Sequence, residues 1–309
     1  MRTIATLTLN PAIDGAAEAD LIRPIHKIRM SNERYDPGGG GINVARVVRE
    51  LDGDAYPIYL AGGATGDVLD ELLMAGGVSG RRVPIAGHTR ISHAVFERSS
   101  GLEFRFVPEG PLVAEAEWQA CLEAIKQLDC DYLVASGSLP RGVPDDFYAF
   151  IATICSRGNM KLVLDTSGEA LRAALGQGLH LIKPSLGELE GLLDRKLSDP
   201  EAQDAAVSEL IENGAAEMIA LTLGSDGALL ATKQSMLRLA APKVEAKSAV
   251  GAGDSFLAAM TLGLAQGRLP DAAFAYGLAA GAATVLSAGT GLCRREDVER
   301  LYAEVLQGL

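Results

Sequence analysis

Residues 248–255 read Ser248-Ala249-Val250-Gly251-Ala252-Gly253-Asp254-Ser255. Only Val250 is bulky, and the stretch runs straight into Phe256–Gln266, an apolar, Ala-rich segment that reads as a helix. Small residues let a backbone approach a ligand closely. The first N–H groups of a helix have no intrahelical acceptor, which makes such an end a natural anion site. One carboxylate, Asp254, lies inside it. An acid in a turn that only binds an anion repels what it binds. It makes sense where it takes a proton from a hydroxyl that attacks a phosphoryl group. The alternative reading of Asp254 is a plain helix N-cap.

Outward from this turn, the chain alternates. Strands are expected at 132–136, 161–165, 179–182 and 217–223, separated by helices at 114–128, 145–157, 169–175, 186–193 and 201–213. Strands spaced by single helices argue for a parallel α/β sheet covered on both faces. Before them, 3–9 and 55–61 read as strands, 42–51 and 67–74 as helices. After them come a hairpin (227–231 with 236–239) and helices at 252–266, 271–286 and 295–306. Residues 81–107 read as short extended pieces, with a hairpin at 91–97 and 102–107. Two extended segments, roughly 13–35 and 89–107, stand outside the rhythm. They are expected to pair into a small sheet that lies as a lid over the strand ends, where open α/β sheets bind ligands. The whole of 1–309 reads as a single domain.

The chain has 309 residues, 48% of them apolar, enough for a large core. A net charge of −12 argues against a nucleic-acid partner. No stretch is long and apolar enough to span a bilayer. Four scattered cysteines without C-x-x-C or His spacing suggest a reducing compartment, and the cytoplasm is the expected location.

Other stretches carry chemistry. Gly38-Gly39-Gly40-Gly41-Ile42-Asn43 opens a second helix. Four glycines cost about 0.5–1 kcal/mol each in chain entropy, so close approach to a ligand is the better reading than a plain loop. Asn43 suits a sugar hydroxyl or a cap. Asp14, after the first strand, suits sugar hydroxyls or an exposed turn. Lys27, Arg29, Arg90 and Arg105 gather cations on the expected lid of an acidic protein, which points to an anionic substrate; singly, each fits a solvated sheet face. Lys183-Pro184-Ser185-Leu186-Gly187-Glu188 follows a strand and opens a helix. Glu188 there could orient a hydrated Mg²⁺ or simply complement the helix dipole. Thr222 to Gly227 follows another strand and offers small residues to a nucleotide's phosphates, or a hairpin turn. Asp165 and Glu169 follow a strand as site or turn residues, without a deciding feature. Neither a P-loop nor a G-x-G-x-x-G motif occurs, which weighs against a dinucleotide-binding dehydrogenase.

Taken in order, these stretches resemble the PfkB family of carbohydrate kinases, also called ribokinase-like. The resemblance rests on Gly38 to Ala45 with Leu51-Asp52-Gly53, and on Val250-Gly251-Ala252-Gly253-Asp254. Within the family the chain is most similar to the branch that phosphorylates fructose 6-phosphate. The supporting stretches include Thr6 to Pro11 with Asp14, Thr89-Arg90, Ser136 to Pro140 and Gly289-Thr290.

The resemblance implies transfer of the γ-phosphoryl group of ATP to the 1-hydroxyl of fructose 6-phosphate, with tagatose 6-phosphate and fructose 1-phosphate kinases as alternatives. A sugar-phosphate sensor that kept the fold but lost the chemistry is a different-class alternative, and an intact Asp254 argues against it. Asp254 would be the base, with the N–H groups of Gly251, Ala252 and Gly253 as the anion hole. Asp14, Gly39, Gly40, Asn43 and Ser138 would hold the sugar. Lys27, Arg29, Arg90 and Arg105 would serve its phosphate, Lys27 from a neighbouring subunit of a lid-paired dimer. Lys183, Ser185, Thr222, Gly224, Gly227, Ser248 and Val250 would face ATP, and Glu188 would serve Mg²⁺. The chain departs from the family's pattern in four places, one of them Arg141, where a Pro is usual. Ser185 stands where the family commonly has Asn. Ser248-Ala249 replace a common Asp-Thr, and Gly291 replaces an Arg of the closest relatives. Many relatives bind K⁺ beside that loop, so these last two changes leave K⁺ an open alternative and not an expectation.

Overall fold

Ile4–Thr8 (β1) is buried along its whole length and becomes an inner strand of a nine-stranded sheet. A computed structural model of the chain describes residues 3–307. On one side of β1 lie Ala55–Ala61 (β4) and then Arg81–Pro84 (β5), both parallel to their neighbours. On the other side follow Tyr132–Ser136 (β8), Lys161–Asp165 (β9), Leu181–Ile182 (β10) and Met218–Thr222 (β11), all parallel. Ala228–Thr232 (β12) and Met236–Leu239 (β13) add an antiparallel edge.

Alternate residues of the inner strands feed two separate cores. Leu133 and Ala135 pack with one group of helices, Tyr132 and Val134 with the other. The first group is Glu115–Lys126 (α3), Phe147–Arg157 (α4), Gly168–Ala174 (α5), Leu186–Leu193 (α6) and Pro200–Glu212 (α7). The second is Gly40–Glu50 (α1), Ala252–Ala265 (α8), Pro270–Thr284 (α9) and Arg295–Leu306 (α10). Burial on both faces is why these strands read as continuous apolar runs. Gly63–Ala75 (α2) joins α1 in a small third core with Ile42, Tyr59, Leu69 and Leu73.

The remaining strands form a separate four-stranded sheet. Ala12–Ala19 (β2) pairs antiparallel with Met30–Gly38 (β3) and parallel with Arg90–Glu97 (β6). Leu102–Phe106 (β7) closes it through a hairpin whose turn holds Gly101 at φ 73°. The fold is thus a mostly parallel α/β sheet with helices on both faces and a small lid, as the alternation predicts. Two boundaries differ. Residues 81–84, read only as one of several short extended pieces, are the edge strand of the main sheet, where only Val83 is buried and the pattern is weak. Strand β3 runs on to Gly38, so the first of the four glycines is strand and not loop. Among the described residues no helix is long and apolar enough to cross a membrane, and the four cysteines are unpaired.

Candidate active site

The chain leaves β1 for β4 on one side of the sheet and reaches β8 on the other, so the carboxyl ends of β1 and β8 flank a switch in winding direction. Crevices form at such points. A cavity of about 280 Å³ opens there, between these strand ends, the start of α8 and the inner face of the lid.

Helix α8 supplies its floor. Gly251 caps the helix at φ 75°, a left-handed conformation that glycine adopts without penalty. A Cβ there would also lie 2.6 Å from Leu292 Cδ2. The Ser255 N–H makes the first helical bond, to Gly251 O at 2.9 Å. The Ala252 N–H turns back to Ala249 O at 3.3 Å. Of the three N–H groups expected in an anion hole, those of Gly251 and Gly253 are the ones left without an acceptor among the described residues.

Asp254 lines the cavity one residue further on. Its Oδ2 accepts from Asn43 Nδ2 at 2.9 Å, which ties the first turn of α8 to the first turn of α1. Burial pushes its carboxyl up to about 6; the charges of Asp165 and Asp14 add to this, while the Asn43 hydrogen bond and Lys183 oppose it. A carboxylate so placed is half-ready to hold a proton near neutral pH, which is what a general base needs.

Beside it, Lys183 Nζ lies 3.2 Å from Asp165 Oδ1, and Ser136 Oγ donates to Asp165 Oδ2 at 3.3 Å. Lys183 was expected to face ATP; it is buried in this pair, under the turn of Gly253. Burial alone would pull its pKa down, but Asp165, Glu188 and Asp254 outweigh that and keep it protonated. Asp165 is the site residue that the sequence reading left undecided. It ends β9 as Asp14 follows β1, so position at a strand's carboxyl end was the available signal.

The lid supplies the roof. Asp14, Arg90 and Arg105 line the cavity together with Gly39, Gly40, Asn43 and Ser138. Burial raises the Asp14 carboxyl above its ordinary value against the pull of Arg90, Arg105 and Arg46. Arg90 is anchored by Nη1 to Pro108 O and by Nη2 to Asn10 O, both at 2.8 Å, while its Nε is buried without a partner. Ser92 and His93 also line the cavity and carry no sequence signal for it, and Thr290, which lines it too, enters the sequence reading only through the family resemblance. Lys27 and Arg29 do not line it; both are exposed on the stretch between β2 and β3.

The glycine run also packs closely against the protein's own atoms. A Cβ on Gly38 would meet Asp14 Oδ2 at 2.0 Å, on Gly40 Ser136 Oγ at 2.1 Å, and on Gly41 the carbonyl of Leu7 at 2.3 Å. Gly39 holds φ 107°. Gly40 and Gly41 let α1 sit directly on β8 and β1, Gly38 leaves room for the Asp14 carboxylate, and Gly39 and Gly40 line the cavity as well.

The remaining residues flank the site. Ser185 caps α6: the Glu188 N–H donates to Ser185 Oγ, and Glu188 Oε2 accepts from the Ser185 N–H at 2.7 Å and from its Oγ at 2.9 Å. Glu188 still lines the cavity. Thr222, Gly224 and Gly227 lie outside it. Gly227 is forced by Leu239 O, 2.0 Å from where its Cβ would be, whereas Gly224 faces open space at φ 63°. Val250 lines the cavity, and its N–H donates to Ser248 Oγ at 3.3 Å. Ser248 is buried and donates in turn to the Glu103 carboxylate of β7.

Comparison with known proteins gives the site its context. Residues 7–297 match the family described as "pfkB family carbohydrate kinase". The chain is 44% identical over 301 residues to the ATP-dependent 6-phosphofructokinase isozyme 2 of Mycobacterium tuberculosis, covering 97% of this chain and 88% of that protein. It is 38% identical to the protein of the same name from Escherichia coli, covering 98% and 99% of the two chains. The crystal structure of phosphofructokinase-2 from Escherichia coli in complex with fructose-6-phosphate superposes with a TM-score of 0.94 at 36% identity, covering 99% of this chain and all of that one. The same Escherichia coli protein has been solved in complex with potassium and in a tetrameric inhibited form.

Proposed function

The chain belongs to the pfkB family of carbohydrate kinases and is an ATP-dependent sugar kinase, and from that premise we propose that it phosphorylates the 1-hydroxyl of fructose 6-phosphate. One observation carries this reading. A single cavity holds a carboxylate with its pKa raised to about 6 beside a helix N-terminus on its floor, and two arginines of the lid on its roof. A free sugar brings no anion to those guanidinium groups, although Arg90 also donates to two backbone carbonyls. A sugar phosphate supplies that anion, and charge-assisted hydrogen bonds of about 1.5–3 kcal/mol each set the preference.

In this reading Asp254 removes the proton of the attacking hydroxyl. The Gly251 and Gly253 N–H groups, and Ala252 once its weak turn bond is released, receive the transferring phosphoryl group. Positioning and electrostatics supply most of the catalysis, because the transition state is loose. Asp14, Gly39, Gly40, Asn43 and Ser138 orient the sugar, and Arg90 and Arg105 hold its phosphate. Lys183 contributes positive charge beneath the phosphoryl group and not a contact at the nucleotide's far end. Ser185, Ser248, Val250 and the Thr222, Gly224 and Gly227 loop border the nucleotide.

Mg²⁺ typically takes one or two carboxylates plus substrate phosphates and waters. The cavity fits this: among the described residues there is no cluster of three metal-binding groups, but Glu188 keeps one carboxylate oxygen outside its cap, with Asp165 nearby. There Mg²⁺ would neutralise charge on the phosphates of ATP. K⁺ is not proposed as required, and turnover in Na⁺ against K⁺ buffer tests that.

Lys27 and Arg29 act, in this proposal, on the cavity of a second copy, through a dimer paired by the lids. Exposed Ile28, Met30, Ile91, Phe104 and Phe106 on the lid strands and their connection support such a partner.

The test is ADP release from Mg·ATP with fructose 6-phosphate, tagatose 6-phosphate, fructose 1-phosphate and fructose. A clear preference for fructose 6-phosphate is expected. Preference for free fructose would overturn the role of the lid arginines, and binding without turnover would leave a sensor.

A further inference from the structure

Arg46 stands one helical turn after Asn43 on α1 and does not itself line the cavity. Its side chain is 20% exposed, and both of its Nη groups are engaged. Nη1 donates to Asn43 Oδ1 at 3.2 Å and to Pro37 O at 2.9 Å. Nη2 donates to Asp36 Oδ1 at 3.3 Å. Asp36 Oδ2, for its part, accepts from Arg34 Nε at 2.8 Å and from Thr290 Oγ1 at 2.6 Å. The guanidinium is thereby held from both ends.

A guanidinium has donors only. The atom of Asn43 that it meets must therefore be the carbonyl oxygen, which turns the NH₂ group toward Asp254. Without that constraint the Asn43 amide is free to rotate by half a turn. It would then present its oxygen to Asp254 and be satisfied only by a protonated carboxyl. We propose that Arg46 is a positioning residue: by fixing the Asn43 amide it keeps a donor on Asp254 and so holds the base in its proton-accepting form. The assignment rests on the reading of Asp254 as the base.

The charges around Asp254 come from several elements, and Arg46 acts on top of them. Asp165 on β9 and Asp14 on β2 raise its proton affinity, Lys183 after β10 lowers it, and Asn43 on α1 is the one hydrogen-bond donor among these. Hydrogen bonds to the charged form favour that form, so loss of the donor moves the carboxyl up.

The test compares the parent with Arg46→Met and Arg46→Gln in two readouts. The first is direct titration of the Asp254 carboxyl by NMR, which needs no turnover. The second is the pH profile of kcat/KM with Mg·ATP and fructose 6-phosphate. Arg46→Met is expected to raise the Asp254 midpoint by about half to one unit, to move the acid limb of the rate profile by the same amount, and to lower kcat by roughly tenfold or more while KM for ATP changes little. Arg46→Gln keeps a donor in reach of Asn43 Oδ1 and is expected to recover much of the difference. If Arg46→Met does not fold because Asp36 is left without its cation, Asp36→Asn/Arg46→Met takes its place. An unmoved midpoint in a folded variant, or a fall in rate that only follows the folded fraction, overturns the proposal. A parent that turns over no sugar phosphate overturns the kinase reading instead, and the NMR titration still decides the role of Arg46.

Discussion

The Nζ of Lys183 lies 3.2 Å from Asp165 Oδ1, and with side chains 6% and 14% exposed neither group can turn to bulk water for its charge. The lysine offsets part of the repulsion that Asp165 exerts on the ionised Asp254. Removing one partner of a buried pair leaves a bare charge and costs about 3–5 kcal/mol, whereas removing both costs far less. Lys183→Met is therefore expected to lose about that much stability and to push the Asp254 carboxyl further up. Lys183→Met/Asp165→Asn is expected to regain most of the stability without regaining turnover. Urea melts of the three proteins check the first statement and ADP release the second. A double variant no more stable than Lys183→Met would show that the charges are not coupled.

Asp254 sets a conflict between activity and stability. Its carboxyl is raised to about 6 from 3.8, chiefly by burial. Between those values the folded state binds more protons than the unfolded one, so stability falls as pH rises through the window. Above it the folded chain carries the full penalty, at most about 3 kcal/mol for a shift of this size. Asp254→Asn removes the penalty and the base together. Turnover is expected to fall by ~10²–10⁴-fold. The midpoint of thermal unfolding is expected to rise at pH 7.5, with the gain shrinking toward pH 4. In the parent, kcat/KM is expected to drop along an acid limb centred near pH 6. Equal stability of the two proteins at pH 7.5, or a limb near 4, would contradict this placement of the base.

These two predictions also mark what the sequence could and could not tell. The layered α/β fold was legible because inner strands such as Leu162-Val163-Leu164 are buried on both faces and show no alternation. The turn of Gly251 to Asp254 was legible because its small residues interrupt an apolar run. The partner of Lys183 was not, because Asp165 lies eighteen residues away on another strand and only sheet register brings the two together. Strand β5 reads as extended, but its place at the edge of the main sheet is not legible because only one of its side chains is buried. The glycine run has a second cause that the sequence does not show, since a Cβ on Gly40 or Gly41 would run into Ser136 or the carbonyl of Leu7.

That cause makes a steric prediction. A Cβ at Gly40 would lie 2.1 Å from Ser136 Oγ and 3.0 Å from the Ser136 carbonyl carbon, so the helix itself must shift. Overpacking of this kind costs about 1–3 kcal/mol. Gly40→Ala is expected to lose stability in that range and also turnover, because α1 carries Asn43. Gly224→Ala meets nothing within 4 Å and should cost only the left-handed backbone penalty of about 1–2 kcal/mol, with little effect on the sugar's KM. Melts and steady-state kinetics of both variants separate packing from ligand approach. Gly40→Ala with parental stability would leave ligand contact as the reason for that glycine.

The last prediction concerns two residues that the cavity of their own chain does not contain. Lys27 and Arg29 are exposed between β2 and β3, near an exposed apolar face that includes Ile28 and Met30. If they serve the sugar phosphate of a neighbouring copy, two defects placed on different chains can complement. In a mixed dimer of Asp254→Asn with Lys27→Ala/Arg29→Ala, one site has both defects and the other has neither. Mixing the two weakly active variants under conditions that allow subunit exchange is therefore expected to raise activity well above the sum of the parts, toward half of parental turnover per mixed dimer. The gain should appear as recovered KM for fructose 6-phosphate, because the cations act on binding and not on the base. A mixture that gives only the sum, while mass measurement confirms mixed dimers, would assign Lys27 and Arg29 to the solvated surface and leave Arg90 and Arg105 as the phosphate's only basic partners.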